Sequence, residues 1–232
     1  MKKRFFKNIT IGALLIALSF VYPITNCFSQ QTHEVSPSQQ RFDDIELWVK
    51  RFEAPERDKW QKPDEVIRNL NLKDGDVVAD IGAGTGYFTR RLAVAVGPNG
   101  KVLGLDIEPA MVKYMKEDAQ KLSLKNYIAR LVKPDDPELE PQSVDVVFIC
   151  DTYHHIENRA VYLKNLSKSL KKNARVVVVD FYKKPFPNTP PVEHKMSEKT
   201  VIEEFWQAGY NLKRMLDFLP AQYFLEFELG QQ

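Results

Sequence analysis

Cysteine and histidine are scarce in this chain of 232 residues. It has two cysteines and four histidines, namely Cys27, Cys150, His33, His154, His155 and His194. Their spacing matches no paired set of metal ligands, which argues against a zinc site. If the first 29 residues are removed, Cys150 is the one cysteine that remains, so the sequence predicts no internal disulfide.

An excess of positive charge is also lacking outside the first 29 residues. That segment holds four of the 33 basic residues and none of the 31 acidic residues, so the remainder carries a net charge near −2. No basic stripe interleaved with aromatic residues remains, and we therefore do not expect a nucleic-acid substrate. The length fits one domain of ordinary size with a full core.

The most informative segment runs from Val77 to Phe88. It reads as a buried strand closed by Asp80, three alternating glycines (Gly82, Gly84 and Gly86) and the start of a helix. Such a turn lets a ligand lie against bare backbone at a helix N-terminus. The spacing is not the dinucleotide pattern G-x-G-x-x-G, because Tyr87 stands at the third glycine position. No Lys-Ser/Thr pair follows the glycines, which excludes a phosphate-binding P-loop.

A second acid, Asp106, ends the apolar run that begins at Lys101. It lies about 20 residues beyond the glycine turn, the offset at which an acid meets ribose hydroxyls in nucleotide-binding βαβ units. A carboxylate suits a vicinal diol because it accepts two hydrogen bonds. Alternatively, Asp106 caps the helix that Pro109 helps to begin, and both roles are compatible.

Apolar strands alternate with amphipathic helices along the rest of the chain. The pattern predicts helices over 87–96, 111–122, 160–170 and 198–208, and strands over 101–106, 127–132, 144–150 and 175–180. Two final strands, over 212–218 and 222–228, are joined by three residues and must form a hairpin. The prediction is an α/β fold with a Rossmann-like sheet of five parallel strands, an antiparallel C-terminal hairpin and helices on both faces.

Over about residues 63–229 these motifs resemble the class I S-adenosylmethionine (SAM) methyltransferases. The resemblance implies the family's seven-stranded sheet and SAM as cofactor. It also implies that the acid-and-glycine loop and the acid after the second strand contact SAM, with an acid after the third strand for the adenine amino group. The residues so implied are Asp80, Gly82, Ala83, Gly84, Gly86, Asp106, Ile107, Asp135 and Asp136. For Asp135 and Asp136 a plain turn-forming role stays open.

The segment from Asp151 to Ile156 occupies the place where the family's methyl acceptor lies. It lacks the Asn/Asp-Pro-Pro-Tyr/Phe motif of enzymes that methylate amide or exocyclic nitrogens. It looks like the histidine-containing loop of small-molecule methyltransferases, such as those acting on ubiquinone and menaquinone precursors. His154 or His155 is therefore a candidate general base, with Asp151 or Tyr153 orienting acceptor or cofactor. Alternatively, the two histidines pack at the strand end and cap the next helix.

Two further segments are predicted to form walls of the acceptor pocket. One runs from Arg57 to Pro63, and the other, from Lys183 to Lys195, is rich in proline and suited to a lid. A magnesium site made by Asp151 and Asp180 is disfavoured, and we expect no metal.

The N-terminus has the pattern of an exported protein. A basic start is followed by an apolar run from Ile9 to Tyr22, ended by Pro23. This predicts a leader over residues 1–29, a polar linker and N-terminal arm over 30–62, and the SAM-binding domain over 63–232. Lipid attachment at Cys27 and an uncleaved anchor remain open. Each option places the domain in the periplasm or at a membrane, in conflict with the cytoplasmic supply of SAM.

The leading functional hypothesis is a SAM-dependent methyltransferase that acts on oxygen or carbon of a small molecule. One alternative is a domain that binds SAM or its product without catalysis. Another is a protein or lipid methyltransferase tethered to a membrane by its N-terminus. The oligomeric state is left open by the sequence.

Overall fold

The computed structural model describes residues 45–187 and 189–230. The predicted leader and the first part of the predicted linker lie outside the described residues, so these boundaries stay predictions. Among the described helices, none is long and apolar enough to cross a lipid bilayer.

The described residues form seven α-helices and seven strands. The helices are α1 (Ile45–Phe52), α2 (Glu56–Gln61), α3 (Pro63–Asn69), α4 (Thr89–Ala95), α5 (Pro109–Lys121), α6 (Arg159–Ser169) and α7 (Glu198–Gln207). The strands are β1 (Val77–Ile81), β2 (Lys101–Asp106), β3 (Tyr127–Leu131), β4 (Val144–Cys150), β5 (Leu170–Phe181), β6 (Tyr210–Leu216) and β7 (Gln222–Leu229). Short 3₁₀ turns span Tyr153–His155 and Val192–His194.

All seven strands form one sheet in the order β3-β2-β1-β4-β5-β7-β6. Neighbours among β1 to β5 run parallel, whereas β7 pairs antiparallel with both β5 and β6. The predicted sheet of five parallel strands with an antiparallel C-terminal hairpin is confirmed. Its hairpin follows from the short connection between β6 and β7, which leaves no room for a crossover.

Successive strand residues point to opposite faces of the sheet and pack into two hydrophobic cores, one on each face. In β1, Val78 packs on the face covered by α3, α4 and α5, whereas Ala79 packs on the face covered by α6 and α7. Both residues are fully buried. The predicted helices on both faces are therefore confirmed, and near-continuous apolar runs are the expected composition of strands buried in this way.

Two strand boundaries differ from the sequence prediction. Strand β5 begins at Leu170, directly after α6, and so takes in residues predicted to lie between helix and strand. Strand β6 begins at Tyr210 because that ring is fully buried against Phe205 and its hydroxyl donates to Leu163 O at 2.9 Å. At the other end, Phe218 leaves the strand, and its carbonyl accepts from Lys62 Nζ at 2.9 Å.

Residues of the predicted N-terminal arm form α1 and α2, which pack at the carboxyl edge of the sheet. After α1, Glu53 pairs with Arg90 of α4 at 2.6 Å. In α2, the Trp60 ring lies 5.6 Å from the Phe181 ring at the end of β5. The two helices therefore form one wall above the strand ends.

The glycine turn after β1 generates a stability prediction. Gly86 has φ +79°, and a Cβ there would lie 1.8 Å from Tyr127 Oη and 3.1 Å from Met115 Cγ. Gly75 offers a matched control, since it has φ +90° but no neighbouring heavy atom within 4 Å of such a Cβ in the described structure. We expect Gly75→Ala to lower the free energy of unfolding by about 1–2 kcal/mol, the cost of a left-handed alanine. Gly86→Ala should cost more, because overpacking is added to the backbone strain.

Urea unfolding of both variants measures this difference. The Gly86→Ala/Tyr127→Phe double variant should recover part of the loss, because it removes the overlapped oxygen. Equal losses for Gly75→Ala and Gly86→Ala would show that the turn relaxes away from Tyr127.

Candidate active site

A cavity of about 750 Å³ lies at the carboxyl ends of the central strands. Its walls come from the glycine turn, the residues after β2 and β4, helices α1 and α2, and the loop after β5. The volume falls in the range of about 300–1,000 Å³ typical of small-molecule and cofactor sites. Its position beyond parallel strand ends is where open α/β sheets bind ligands.

The glycine turn presents bare backbone to this cavity. Gly82, Ala83 and Gly84 line it, and the amides of Gly82 and Ala83 donate to Leu105 O at 2.8 and 3.0 Å. A Cβ at Gly82 would lie 2.2 Å from the hydroxyl of Thr152, so only glycine allows β1 and the end of β4 to approach so closely. Gly86 does not line the cavity in the described structure but faces Tyr127, so the predicted contact between Gly86 and the cofactor finds no support in this placement.

Asp106 lies on the cavity wall next to the turn, with Ile107 beside it. Its carboxylate accepts hydrogen bonds from Gly84 N at 2.7 Å and Glu108 N at 2.9 Å. Burial raises the pKa of Asp106, and these backbone hydrogen bonds partly offset the rise. Because a carboxylate has lone pairs for about four hydrogen bonds, Asp106 keeps capacity for a ligand diol.

Asp80 lies below the turn rather than on the cavity wall. It is 3% exposed and accepts a hydrogen bond from Thr89 Oγ1 at 2.6 Å. Burial, as the largest cause, raises its pKa to about 7. The predicted contact between Asp80 and the cofactor is therefore corrected to a supporting position, in which Asp80 ties β1 to the start of α4.

Asp135 and Asp136 lie in a turn after β3 and do not line the cavity in the described structure. Asp136 Oδ1 accepts from Glu138 N at 2.7 Å, and residue 136 bridges back to Lys133. This is the turn-forming role that acid–proline sequences favour. The predicted adenine contact finds no support in this placement.

His154 lines the cavity and is oriented by Asp180 at the end of β5. His154 Nδ1 lies 2.7 Å from Asp180 Oδ2, and the Asp180 side chain is 1% exposed. Asp180 Oδ1 also accepts from Phe181 N at 2.8 Å, which fixes the carboxylate. With the Nδ1 proton donated to Asp180, Nε2 is the ring nitrogen left to take a proton.

Opposing effects set the pKa of His154. Burial lowers it, but the hydrogen bond and the charge of Asp180 together outweigh burial, so the pKa is raised above 6.5. The neighbouring His155 also lines the cavity, with its ring 4.0 Å from that of His154. Its pKa is lowered by removal from water and by the charge of His154. The structure thus favours His154 over His155 as the base.

Tyr153 faces the core instead of the cavity. Its side chain is fully buried, its ring lies 5.3 Å from Phe205, and its hydroxyl donates to Glu204 at 2.8 Å. In the 3₁₀ turn, residues 153 and 154 point to different sides, so the predicted orienting role of Tyr153 is corrected to a packing role.

Asp151 remains at the cavity wall as predicted for an orienting residue. Its carboxylate accepts from Gln61 Nε2 at 3.0 Å and from Gln222 Nε2. Burial first, and then the charge of Asp180, raise its pKa to about 6. The two glutamines carry no motif signal, because they are 90 and 71 residues away along the chain.

The acids expected in the disfavoured magnesium site are engaged with other partners. Asp180 faces His154, and Asp151 faces the two glutamines. In the part of the chain that the structure describes, no three histidine, cysteine, aspartate or glutamate side chains converge as metal ligands.

Both predicted wall segments line the cavity. Arg57 and Trp60 come from α2, whereas Phe186, Pro187, Thr189 and Pro190 come from the loop after β5. Lys195 closes that loop from inside: it is 2% exposed, and its Nζ donates to Lys184 O at 2.9 Å and Thr189 Oγ1 at 2.7 Å. The proline content predicted a stiff loop, but nothing in the sequence marked Lys195 as its internal partner.

Known proteins with similar sequences and structures share this architecture. The family model described as "Methyltransferase domain" matches residues 72–218. A demethylmenaquinone methyltransferase of Staphylococcus aureus (strain JH9) is 30% identical over 179 residues, which cover 68% of this chain and 72% of that protein.

Among solved structures, a SAM-dependent methyltransferase from Aquifex aeolicus is 28% identical with a TM-score of 0.75. The match covers 79% of this chain and 97% of that chain. A SAM-dependent methyltransferase from Corynebacterium glutamicum shares the fold at 14% identity, with a TM-score of 0.62 over 80% of this chain and 98% of that one.

The His154–Asp180 pair generates a pH prediction. Replacing Asp180 with Asn removes the charge that raises the pKa of His154 but leaves its burial, so this pKa should fall below 6.5. A titration of histidine Cε1 proton shifts by NMR measures it. Because the native pKa is raised, the pair stabilises the fold fully below about pH 6.5, and this contribution is lost as pH rises through the native pKa. An unchanged titration in Asp180→Asn would contradict the pairing, and Asp217→Asn on the surface is the control.

Proposed function

Because this chain belongs to the class I SAM-dependent methyltransferase family and is an enzyme of that class, we propose that it methylates a small, largely apolar acceptor. The methyl group would go to a hydroxyl oxygen or an acidic carbon. The observation that carries this proposal is the histidine–carboxylate pair, His154 and Asp180, on the wall of the cavity that also contains the glycine turn.

The residues of the cofactor half fit SAM. Bare backbone at Gly82–Gly84 permits close approach of the cofactor, and the buried Asp106 carboxylate keeps lone pairs for its ribose hydroxyls. When bound, SAM supplies a methyl group on a positively charged sulfur, which makes that carbon open to attack by an electron pair.

The acceptor half of the cavity is apolar and has flat walls. Trp60 and Phe181 lie with their rings 5.6 Å apart, and the loop after β5 adds Phe186 and two prolines. Walls of this kind favour a planar apolar ligand, because they bury its faces without leaving polar groups unpaired. This composition supports a small-molecule acceptor over a peptide or a nucleic acid.

His154 would carry out the proton transfer that the reaction requires. Its Nε2 would take the proton from the acceptor hydroxyl or acidic carbon. The electron pair left on that atom would form the bond to the methyl carbon while the methyl–sulfur bond breaks and its electron pair stays on the sulfur, which becomes neutral. Asp180 stabilises the imidazolium that results and holds the ring in position. The apolar side chains of the acceptor half limit the access of water, which would otherwise compete as acceptor or proton donor.

The relative from Staphylococcus aureus suggests which acceptor to test first. That protein is named a demethylmenaquinone methyltransferase. A reduced quinone has a flat apolar ring, which suits the apolar acceptor half of the cavity. It also has a hydroxyl that His154 can deprotonate. We therefore take 1,4-dihydroxynaphthalene as the probe acceptor.

Transfer of a labelled methyl group from SAM to this probe tests the function. We expect His154→Gln to lower kcat by about 10²–10⁴-fold, the usual contribution of a general base. Asp180→Asn should lower kcat less, because it leaves the imidazole in place. His155→Gln is the matched control and should retain activity within about fivefold. Wild-type activity in His154→Gln would refute the base assignment, and no transfer by the wild-type enzyme would refute the acceptor class.

Lys195 generates a separate prediction for the acceptor half. Lys195→Met keeps the side-chain length but loses both hydrogen bonds to the loop, so Phe186 and its neighbours should be held less firmly. We expect KM for the probe acceptor to rise about tenfold, while kcat and the affinity for S-adenosylhomocysteine (SAH) stay within twofold. Lys183→Met, at an exposed position of the same loop, should change none of these constants. An unchanged KM in Lys195→Met would show that the loop does not shape the acceptor pocket.

A further inference from the structure

Arg57 presents a fixed positive charge to the cavity. Its Nη1 donates to Phe52 O at 2.9 Å, and its Nε donates to Gln61 Oε1. The guanidinium carbon lies 3.9 Å from the centre of the Tyr87 ring, and the side chain is 13% exposed. These contacts hold the guanidinium in one orientation and remove most of it from water.

Asp151 presents a fixed negative charge to the same cavity. The fully buried Gln61 and Gln222 each donate one amide hydrogen bond to its carboxylate, on different oxygens. Arg57 fixes the direction of the Gln61 amide, because it donates to the other end of that group. Two of about four lone-pair positions on the carboxylate are used in this way, which leaves capacity for a ligand.

The two charges attract one another but do not meet. Arg57 Nη2 lies 4.0 Å from Asp151 Oδ2, which is beyond hydrogen-bond distance. Each group is tethered by its own partners, so the gap does not close through side-chain rotation alone. A half-buried guanidinium and a carboxylate held apart in this way are complementary to a ligand that carries both charges.

The pair also lies next to the glycine turn. Asp151 directly follows β4, which pairs with β1 up to Ile81, and Tyr87 beneath Arg57 directly follows the last glycine. The residue after Asp151, Thr152, packs on Gly82. Arg57 and Asp151 are thus placed on the cofactor side of the cavity.

The methionine end of SAM is an α-amino acid, with an ammonium and a carboxylate on one carbon. We propose that Arg57 binds this carboxylate and that Asp151 binds this ammonium group. The proposal rests on the family's cofactor and is independent of the proposed acceptor. It assigns a cofactor-binding role to α2, a helix that lies before the residues 72–218 matched by the family model.

Calorimetric titration with three ligands that carry an uncharged sulfur tests the Arg57 and Asp151 contacts separately. SAH carries the complete amino-acid end, S-adenosyl-3-thiopropylamine lacks the carboxylate, and 5′-methylthioadenosine lacks both groups. We expect Arg57→Gln to lower the affinity for SAH at least tenfold and to leave the affinities for the other two ligands within twofold. Asp151→Asn should lower the affinities for SAH and S-adenosyl-3-thiopropylamine at least tenfold and leave the affinity for 5′-methylthioadenosine within twofold.

Two further variants keep the experiment decisive. Arg51→Gln, an exposed arginine on the same cavity, should leave all three affinities within twofold. Arg57→Lys retains charge without the planar fork and should weaken SAH by less than Arg57→Gln does, which also tests the role if the glutamine variant fails to fold. A loss of 5′-methylthioadenosine affinity equal to that of SAH would overturn the proposal, and so would unchanged SAH affinity in Arg57→Gln. If the binding pattern holds while 1,4-dihydroxynaphthalene is not methylated, the acceptor proposal alone fails.

Discussion

Four carboxylates at one edge of the sheet, three of them buried and the fourth half-buried, are the constraint on which the rest of this molecule depends. The adjacent strands β2, β1, β4 and β5 each carry an aspartate at or directly after the carboxyl end, namely Asp106, Asp80, Asp151 and Asp180. An ionised group taken out of water is costly unless hydrogen bonds or an opposite charge compensate it. Because the strands are adjacent and parallel, the four carboxylates lie together at one edge of the sheet. Each carboxylate therefore needs a partner from elsewhere in the chain.

The partners are different in each case, and they differentiate the four positions. A hydroxyl of α4 donates a hydrogen bond to Asp80, backbone amides donate to Asp106, two glutamines donate to Asp151, and a histidine pairs with Asp180. The contact of Asp80 holds the glycine turn to its helix, while the contacts of Asp106 leave this wall carboxylate with spare lone pairs. The contacts of Asp151 require that α2 and β7 both reach the site, and the pairing of Asp180 leaves a histidine ring nitrogen for proton transfer. The contacts that satisfy buried charge are thus the same contacts that build the cavity.

The sequence predicted what is local and missed what is long-range. Strand runs, the glycine spacing and the offset to Asp106 are short patterns, and the sheet they imply is confirmed. Gln61 and Gln222 meet Asp151 only because α2 folds back over the sheet edge, a contact that no periodicity encodes. Tyr153 illustrates a different limit. A tight turn sends adjacent side chains to opposite sides, so a segment can be predicted correctly at the site while one of its residues faces the core.

The raised pKa values along this edge indicate that compensation is incomplete. Burial is the largest cause in Asp80, Asp106 and Asp151 alike, and negative neighbours add to it. A native carboxyl group with a raised pKa holds its proton while the unfolded chain has lost it, so its contribution to stability falls as pH rises from the ordinary value of 3.8 toward the native pKa. A cation within the cavity opposes this effect, because it favours the ionised carboxylates. The fold therefore carries an electrostatic cost at this edge of the sheet, which a positively charged group in the cavity would lessen.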